Sequence, residues 1–122
     1  MPTSNSCDCP QPPGGRVVCE PNQAALCIVQ DGVASHECHN PPVTSNAKRV
    51  VNWALTRVTG KHHLDHQFVR DSSLQMLLGG NFQRDTGELV TFAFPESVMH
   101  AIQTLMLVVE SDEESSSSSQ SS

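Results

Sequence analysis

Residues 24–38 read AALCIVQDGVASHEC, and this segment decides how the N-terminal half of the chain folds. Asp31 and Gly32 separate two apolar-leaning runs, and both residue types tolerate the positive φ of a type I′ turn. The pattern therefore predicts a β-hairpin with a two-residue loop. In such a hairpin the numbers of paired positions sum to 63, so Cys27 lies opposite His36.

The register of this hairpin predicts a metal site. Side chains alternate between the two faces of a strand, and directly opposed Cβ atoms lie about 5 Å apart. Three thiolates and one imidazole form a common structural set of ligands for zinc. The leading interpretation is therefore one zinc ion, and the predicted ligands are Cys19, Cys27, His36 and Cys38, with Cys7 or Cys9 as alternative ligands.

Other interpretations of the five cysteines stay open. They can form disulfides and leave one free thiol, or stay reduced as small apolar core residues. Cys27 beside His36 also permits the thiolate–imidazolium pair of a thiol enzyme or redox sensor. The sequence shows no motif for an oxyanion hole or an orienting group, so a non-enzymatic protein is favoured over an enzyme.

The rest of the chain predicts an α+β fold that combines the cysteine-bearing N-terminal hairpin with two to three helices, a second hairpin and a C-terminal helix. Apolar residues at helical spacing predict a helix that is capped by Thr44 or Ser45, runs to about Thr59 and ends at Gly60. Further predicted elements are a helix at 61–70, a short helix at 72–78, a hairpin at 81–94 around Asp85-Thr86-Gly87, and a helix from about 95 to 109.

Composition divides the chain into four segments. These are a flexible Pro/Gly leader with a CxC motif (1–15), the cysteine-rich hairpin (16–43), a helix–hairpin–helix body that forms one compact domain with it (44–109), and a disordered tail of serine and acidic residues (110–122).

Charge and helical spacing suggest the kind of partner. A formal net charge of −6 disfavours nucleic acid as the partner. Arg49, Trp53 and Arg57 nevertheless repeat at four-residue spacing, which suits contact with another protein or, as an alternative, with single-stranded nucleic acid. For Trp53 itself, the favoured interpretation is that it packs beneath the N-terminal hairpin and joins the two halves of the chain. The leading functional interpretation is a small interaction or adaptor module, held together by zinc or disulfides, that binds another protein.

The sequence also suggests a location. The chain begins without the basic and apolar regions of a secretory signal, and its longest apolar run, Leu105 to Val109, is far shorter than a membrane span. A cytoplasmic location is therefore predicted, and the alternative is a mature secreted domain whose signal has already been removed. His62, His63 and His66 are interpreted as part of a solvated polar face.

Overall fold

A computed structural model of the protein describes residues 5–9, 15–61 and 71–119. In chain order their elements are β1 (Asn5–Cys9), β2 (Gly15–Cys19), β3 (Ala24–Gln30), β4 (Val33–His39), α1 (Ala47–Thr59), α2 (Asp71–Gly79), β5 (Asn81–Gln83), β6 (Leu89–Ala93) and α3 (Glu96–Ser119). The predicted α+β fold class is confirmed.

The fold has three layers. Strands β4, β3, β6 and β5 form an antiparallel four-stranded sheet in that order, and β1 pairs with β2 in a separate antiparallel hairpin, here called the ribbon. The ribbon packs on one face of the sheet, and the helices pack on the other. The two edges of the sheet are therefore β4 and β5.

The β3–β4 hairpin has the predicted turn and register. Asp31 and Gly32 have φ angles of 53° and 77°, as the two central residues of a type I′ turn require. Cys27 lies directly opposite His36, and Gln30 lies opposite Val33. The turn chemistry of two residues thus sets the pairing of the whole hairpin.

Strand β3 is buried on both of its faces, because a layer covers the sheet on each side. Alternate side chains of the strand enter two different cores. The helix-side core contains Ala24, Leu26, Ile28, Val50, Val51, Ala54, Leu55, Val58, Leu74, Leu77, Val90, Phe92, Phe94, Val98, Ala101 and Ile102. The ribbon-side core contains Cys7, Cys9, Val17, Cys19, Ala25, Cys27 and Val29.

Helix α1 begins slightly later than predicted and ends where predicted. Its N-cap is Asn46 instead of Thr44 or Ser45, and the Asn46 side chain accepts a hydrogen bond from the backbone N–H of Arg49 at 3.3 Å. All three residue types can cap a helix, so local chemistry alone does not choose among them. Gly60 adopts the left-handed conformation after the last turn, as predicted.

The structure differs from the sequence prediction at the leader. Where a flexible segment is predicted, Asn5–Cys9 forms a strand that pairs with Gly15–Cys19. Cys7 and Cys9 point into the ribbon-side core, whereas Asp8 is exposed. The Asn5 side-chain amide also donates to the backbone carbonyl of Ala93 at 3.0 Å. Contacts with the sheet therefore hold β1 in place.

The C-terminal half follows the predicted order of elements. Helix α2, strands β5 and β6, and the start of α3 lie where the sequence predicts them, whereas most of the helix predicted over 61–70 lies outside the described residues. Helix α3 continues to Ser119, into the segment predicted to be disordered. Among the described residues, no helix has the length and apolar character needed to cross a membrane.

Candidate functional site

Two disulfides fasten the ribbon to the sheet. Cys9 of β1 is bonded to Cys27 of β3, with 5.5 Å between their Cα atoms. Cys19 of β2 is bonded to Cys38 of β4, with a corresponding distance of 5.7 Å. Each ribbon strand is thus linked covalently to a different strand of the sheet.

This connectivity separates the four predicted zinc ligands. Cys27, His36 and Cys38 do share one face of the hairpin, as the register predicts. Cys19 and Cys38 are bonded to each other, however, and Cys27 is bonded to Cys9, which the sequence offers only as an alternative ligand. In the oxidised protein these cysteines supply no free thiolate to a metal.

His36 lies beside one of the two disulfides. The sulfur atoms of Cys9 and Cys27 and a ring nitrogen of His36 all lie within 4.8 Å of one another. The two cysteines are buried, and His36 is exposed. The arrangement follows from the register, because His36 is the direct cross-strand neighbour of Cys27. Atoms of the types that bind a metal are therefore close together, but the sulfurs of Cys9 and Cys27 are bonded to each other.

Cys7 is the one free thiol. Its Sγ lies 3.5 Å from the carbonyl oxygen of Ala25 and 3.6 Å from that of Thr91. Burial raises the pKa of Cys7, the neighbouring Asp8 carboxylate raises it further, and a backbone hydrogen bond from Cys27 acts in the opposite direction. A reactive cysteine needs a lowered pKa and access to solvent. Cys7 has a raised pKa and is buried, so it has neither property.

The thiolate–imidazolium pair considered for a thiol enzyme is not formed in the oxidised protein. The Cys27 sulfur is bonded to Cys9, so it cannot ionise beside His36. The histidines at 62, 63 and 66 lie outside the described residues.

Arg49, Trp53 and Arg57 form a column at four-residue spacing along α1, and the three side chains differ in their exposure to solvent. Arg49 and Arg57 are exposed, whereas Trp53 is partly buried and packs against the helix-side core. That core includes Ala24, Leu26 and Ile28 of the hairpin, so part of the tryptophan is used in packing. A role of this column in binding a partner stays a prediction.

Strand β4 presents an open edge. Gln30 and Val33 flank the two-residue turn, so they form a hydrogen-bonded pair, and such pairs alternate with non-hydrogen-bonded ones along an antiparallel ladder. The backbone N–H and C=O groups of Ala34, His36 and Cys38 therefore point away from β3. Within residues 5–9, 15–61 and 71–119, no strand pairs with this edge.

A shallow depression lies elsewhere on the surface, between the segment after β4 and the start of α3. It has a volume of about 370 Å³, and its lining residues are Pro41, Pro42, Thr44, Ser45, Ala47, Val50, Ser97, His100, Ala101 and Thr104. His100 is the single titratable side chain among them. The depression therefore offers no pair of groups for acid–base chemistry.

Comparison with known proteins gives no match: no family model, curated protein or solved structure is significantly similar to the chain.

Proposed function

We propose that the protein is a small, disulfide-stapled interaction module that binds an extended segment of another protein along the open edge of β4. The observation that carries this proposal is the seven-residue strand Val33–His39, which is paired on one side only. A bound segment would add a fifth strand to the sheet. Main-chain hydrogen bonds provide the affinity in this mode of binding, and neighbouring side chains provide the specificity.

Strand β4 is already ordered before any partner binds. One side of β4 is hydrogen-bonded to β3 along its whole length, and the Cys19–Cys38 disulfide links its C-terminal part to the ribbon. A strand that is already ordered loses little conformational freedom when a partner binds. Val33, which is 64% exposed, adds an apolar contact at the start of the strand.

Charge favours a partner segment over a second copy of the chain. The formal net charge of −6 makes two copies repel each other at long range. Asp31, in the turn before β4, is exposed, and Glu37 lies on the strand itself. A neutral or basic extended segment is therefore the expected occupant.

Peptide selection against the oxidised protein, followed by hydrogen exchange, tests the proposal. Peptides enriched from a displayed library of random sequences should slow the exchange of the outward-pointing amides of Ala34, His36 and Cys38. Ala34→Pro removes one of these donors without removing a β3–β4 hydrogen bond, and proline is tolerated at edge positions of this kind. We expect at least about a tenfold loss of affinity, because an unmade main-chain hydrogen bond costs about 1–3 kcal/mol.

Ala34→Ser is the matched control, since it changes the same side chain but keeps the amide. It should bind the peptides as the unmodified protein does, and thermal unfolding should show that both variants remain folded. Protection that maps to another surface, or equal binding by the two variants, would contradict the proposal. So would protection of these amides in the absence of peptide through self-association.

The zinc ion predicted from the sequence fits this proposal only in the reduced protein. In the oxidised protein the sulfurs of its candidate ligands are bonded in pairs. The predicted cytoplasmic location is a separate proposal, and it has a chemical consequence, because glutathione and thioredoxin keep cytosolic thiols reduced. The state of the cysteines therefore depends on the compartment.

A further inference from the structure

We propose that reduction of the Cys9–Cys27 disulfide opens a zinc site, in which the two released thiolates and the His36 imidazole bind one Zn²⁺. The metal would then replace the disulfide as the link between the ribbon and the sheet. This inference is independent of peptide binding at the edge of β4, because it concerns the face of the strand that the ribbon covers.

The distances among the three ligand atoms support the site. They all lie within 4.8 Å of one another. In a tetrahedral zinc site with Zn–S bonds of about 2.3 Å and Zn–N bonds of about 2.0 Å, neighbouring ligand atoms lie about 3.5–3.8 Å apart. After reduction the two sulfurs move apart from their bonded distance and the imidazole moves closer.

The backbone holds these residues close before any metal binds. Cys27 and His36 occupy a non-hydrogen-bonded cross-strand pair, the type in which opposed side chains lie closest. Cys9 approaches them from the ribbon, where the packing of β1 places it in the same core as Cys27. Packing in the ribbon-side core and the hydrogen bond from the Asn5 side chain to the Ala93 carbonyl hold β1 on the sheet without either disulfide.

The other disulfide lacks this arrangement. Within the part of the chain that the structure describes, Cys19 and Cys38 have no third side chain that completes a comparable group of ligand atoms. His39, the next histidine on β4, contacts Glu37 instead, with 2.7 Å between Nε2 and Oε1. Among the described residues, reduction of Cys9–Cys27 therefore leaves three close ligand atoms, whereas reduction of Cys19–Cys38 leaves two.

A dithiol reductant supplies the electrons and protons that open the Cys9–Cys27 disulfide. The dithiol gives two electrons and two protons to the Cys9–Cys27 disulfide and becomes a disulfide itself, which leaves two cysteine thiols. As Zn²⁺ binds, the two thiol protons pass to solvent and two Zn–S bonds form. His36 binds through a neutral ring nitrogen. Because His36 is exposed, solvent can reach this group of atoms and supply a water molecule as the fourth ligand.

Cobalt substitution on the full-length chain tests the site. The protein is reduced with a phosphine, which does not bind Co²⁺ as a dithiol does, and is then titrated with Co²⁺. We expect one Co²⁺ per chain, with a thiolate-to-cobalt charge-transfer band and the intense d–d bands of tetrahedral coordination, both lost when Zn²⁺ displaces the cobalt. The oxidised protein should give neither band.

Three variants identify the ligands. His36→Gln should weaken Co²⁺ binding by at least about 100-fold, since even the loss of an outer-shell partner costs about 10–100-fold. His39→Gln changes the neighbouring histidine and should bind as the unmodified protein does. The double variant C19A/C38A should keep the cobalt bands, which separates this site from one that uses Cys19 and Cys38.

Because His36 is exposed, its replacement leaves the core intact, and circular dichroism of the reduced variant checks that it is folded. Absence of the bands in the reduced unmodified protein would overturn the proposal. Equal bands in His36→Gln would also overturn it, since the cysteines would then bind cobalt without the histidine. Loss of the bands in C19A/C38A with their retention in His36→Gln would point to a different ligand set.

Discussion

Cys7 illustrates how position determines the chemistry of a single residue. It lies on the same face of β1 as Cys9, two positions away, yet Cys9 is bonded to Cys27 whereas Cys7 stays a thiol. Both side chains are buried in the ribbon-side core. Cys7 therefore acts as a small apolar residue with a weak S–H donor.

The first prediction at this scale concerns the reactivity of Cys7. In the oxidised protein its alkylation by iodoacetamide at neutral pH should be much slower than that of an exposed cysteine, because burial raises its pKa and blocks access. The rate should keep rising with pH above the ordinary cysteine value of 9.0, where the rate of an unperturbed thiol levels off. Mass spectrometry of the alkylated protein measures the rate, and unfolding in urea should expose one reactive thiol per chain.

The raised pKa of Cys7 also makes the stability of the folded protein depend on pH. The neutral thiol is favoured in the folded state, so its contribution is fully present below the ordinary pKa and is lost as the pH rises through the raised one. Cys7→Ala removes this dependence and serves as the control. Rapid alkylation of the folded protein at pH 7 would show that Cys7 is more accessible than its burial indicates.

At the scale of elements, Arg84 joins the β5–β6 hairpin to the end of α1. Its guanidinium donates hydrogen bonds to the backbone carbonyls of Val58 and Arg57, both at 3.0 Å. These are among the last carbonyls of α1, which have no partner within the helix. Gly60 makes room for this contact, because a Cβ at that position would lie 3.1 Å from the Arg84 guanidinium carbon.

Arg84→Met should lower the free energy of unfolding by about 2–3 kcal/mol, because hydrogen bonds with a charged donor are lost and the helix carbonyls keep no partner. Urea unfolding followed by circular dichroism measures the change. Asp85→Asn is the matched control: it breaks the exposed Lys61–Asp85 ion pair, which is 3.1 Å long, and should change stability by less than about 1 kcal/mol. Equal effects of the two substitutions would contradict the proposed role of Arg84.

Elements that depend on local chemistry could be predicted from the sequence. The Asp31-Gly32 turn specifies the register that places Cys27 opposite His36, and Gly60 specifies the end of α1. The strand β1 could not be found in this way, because five residues interrupted by polar side chains become a strand only when β2 and the sheet support them. The CxC spacing was the available signal, since it places Cys7 and Cys9 on one face of a strand.

At the scale of the whole molecule, the two disulfides join two of the three layers, the ribbon and the sheet. The disulfides connect cysteines that are 18 and 19 positions apart in the sequence. The connectivity of several cysteines cannot be deduced from sequence alone, because it depends on which strands pack together. The sequence therefore supplied the residues of the candidate site but not their pairing.

The double variant C19A/C38A should lower the free energy of unfolding of the oxidised protein by about 2–4 kcal/mol, because the unfolded chain regains the freedom that a loop of this size had lost. C9A/C27A should lower it further, since that pair is fully buried and its sulfurs also fill the ribbon-side core. Urea unfolding with a metal chelator present gives both values. Unchanged stability in both variants would show that packing alone holds the ribbon in place.

The order of the crosslinked residues along the chain has a consequence for cleavage. The bonds join the first to the third and the second to the fourth of Cys9, Cys19, Cys27 and Cys38, so the two covalent loops interlace. A protease that cuts any one peptide bond between Cys9 and Cys38 therefore leaves two fragments that at least one disulfide still joins. A nick at the exposed Asp31–Gly32 turn, for example, would leave β3 and β4 tied through the ribbon, and the pieces would separate only after reduction.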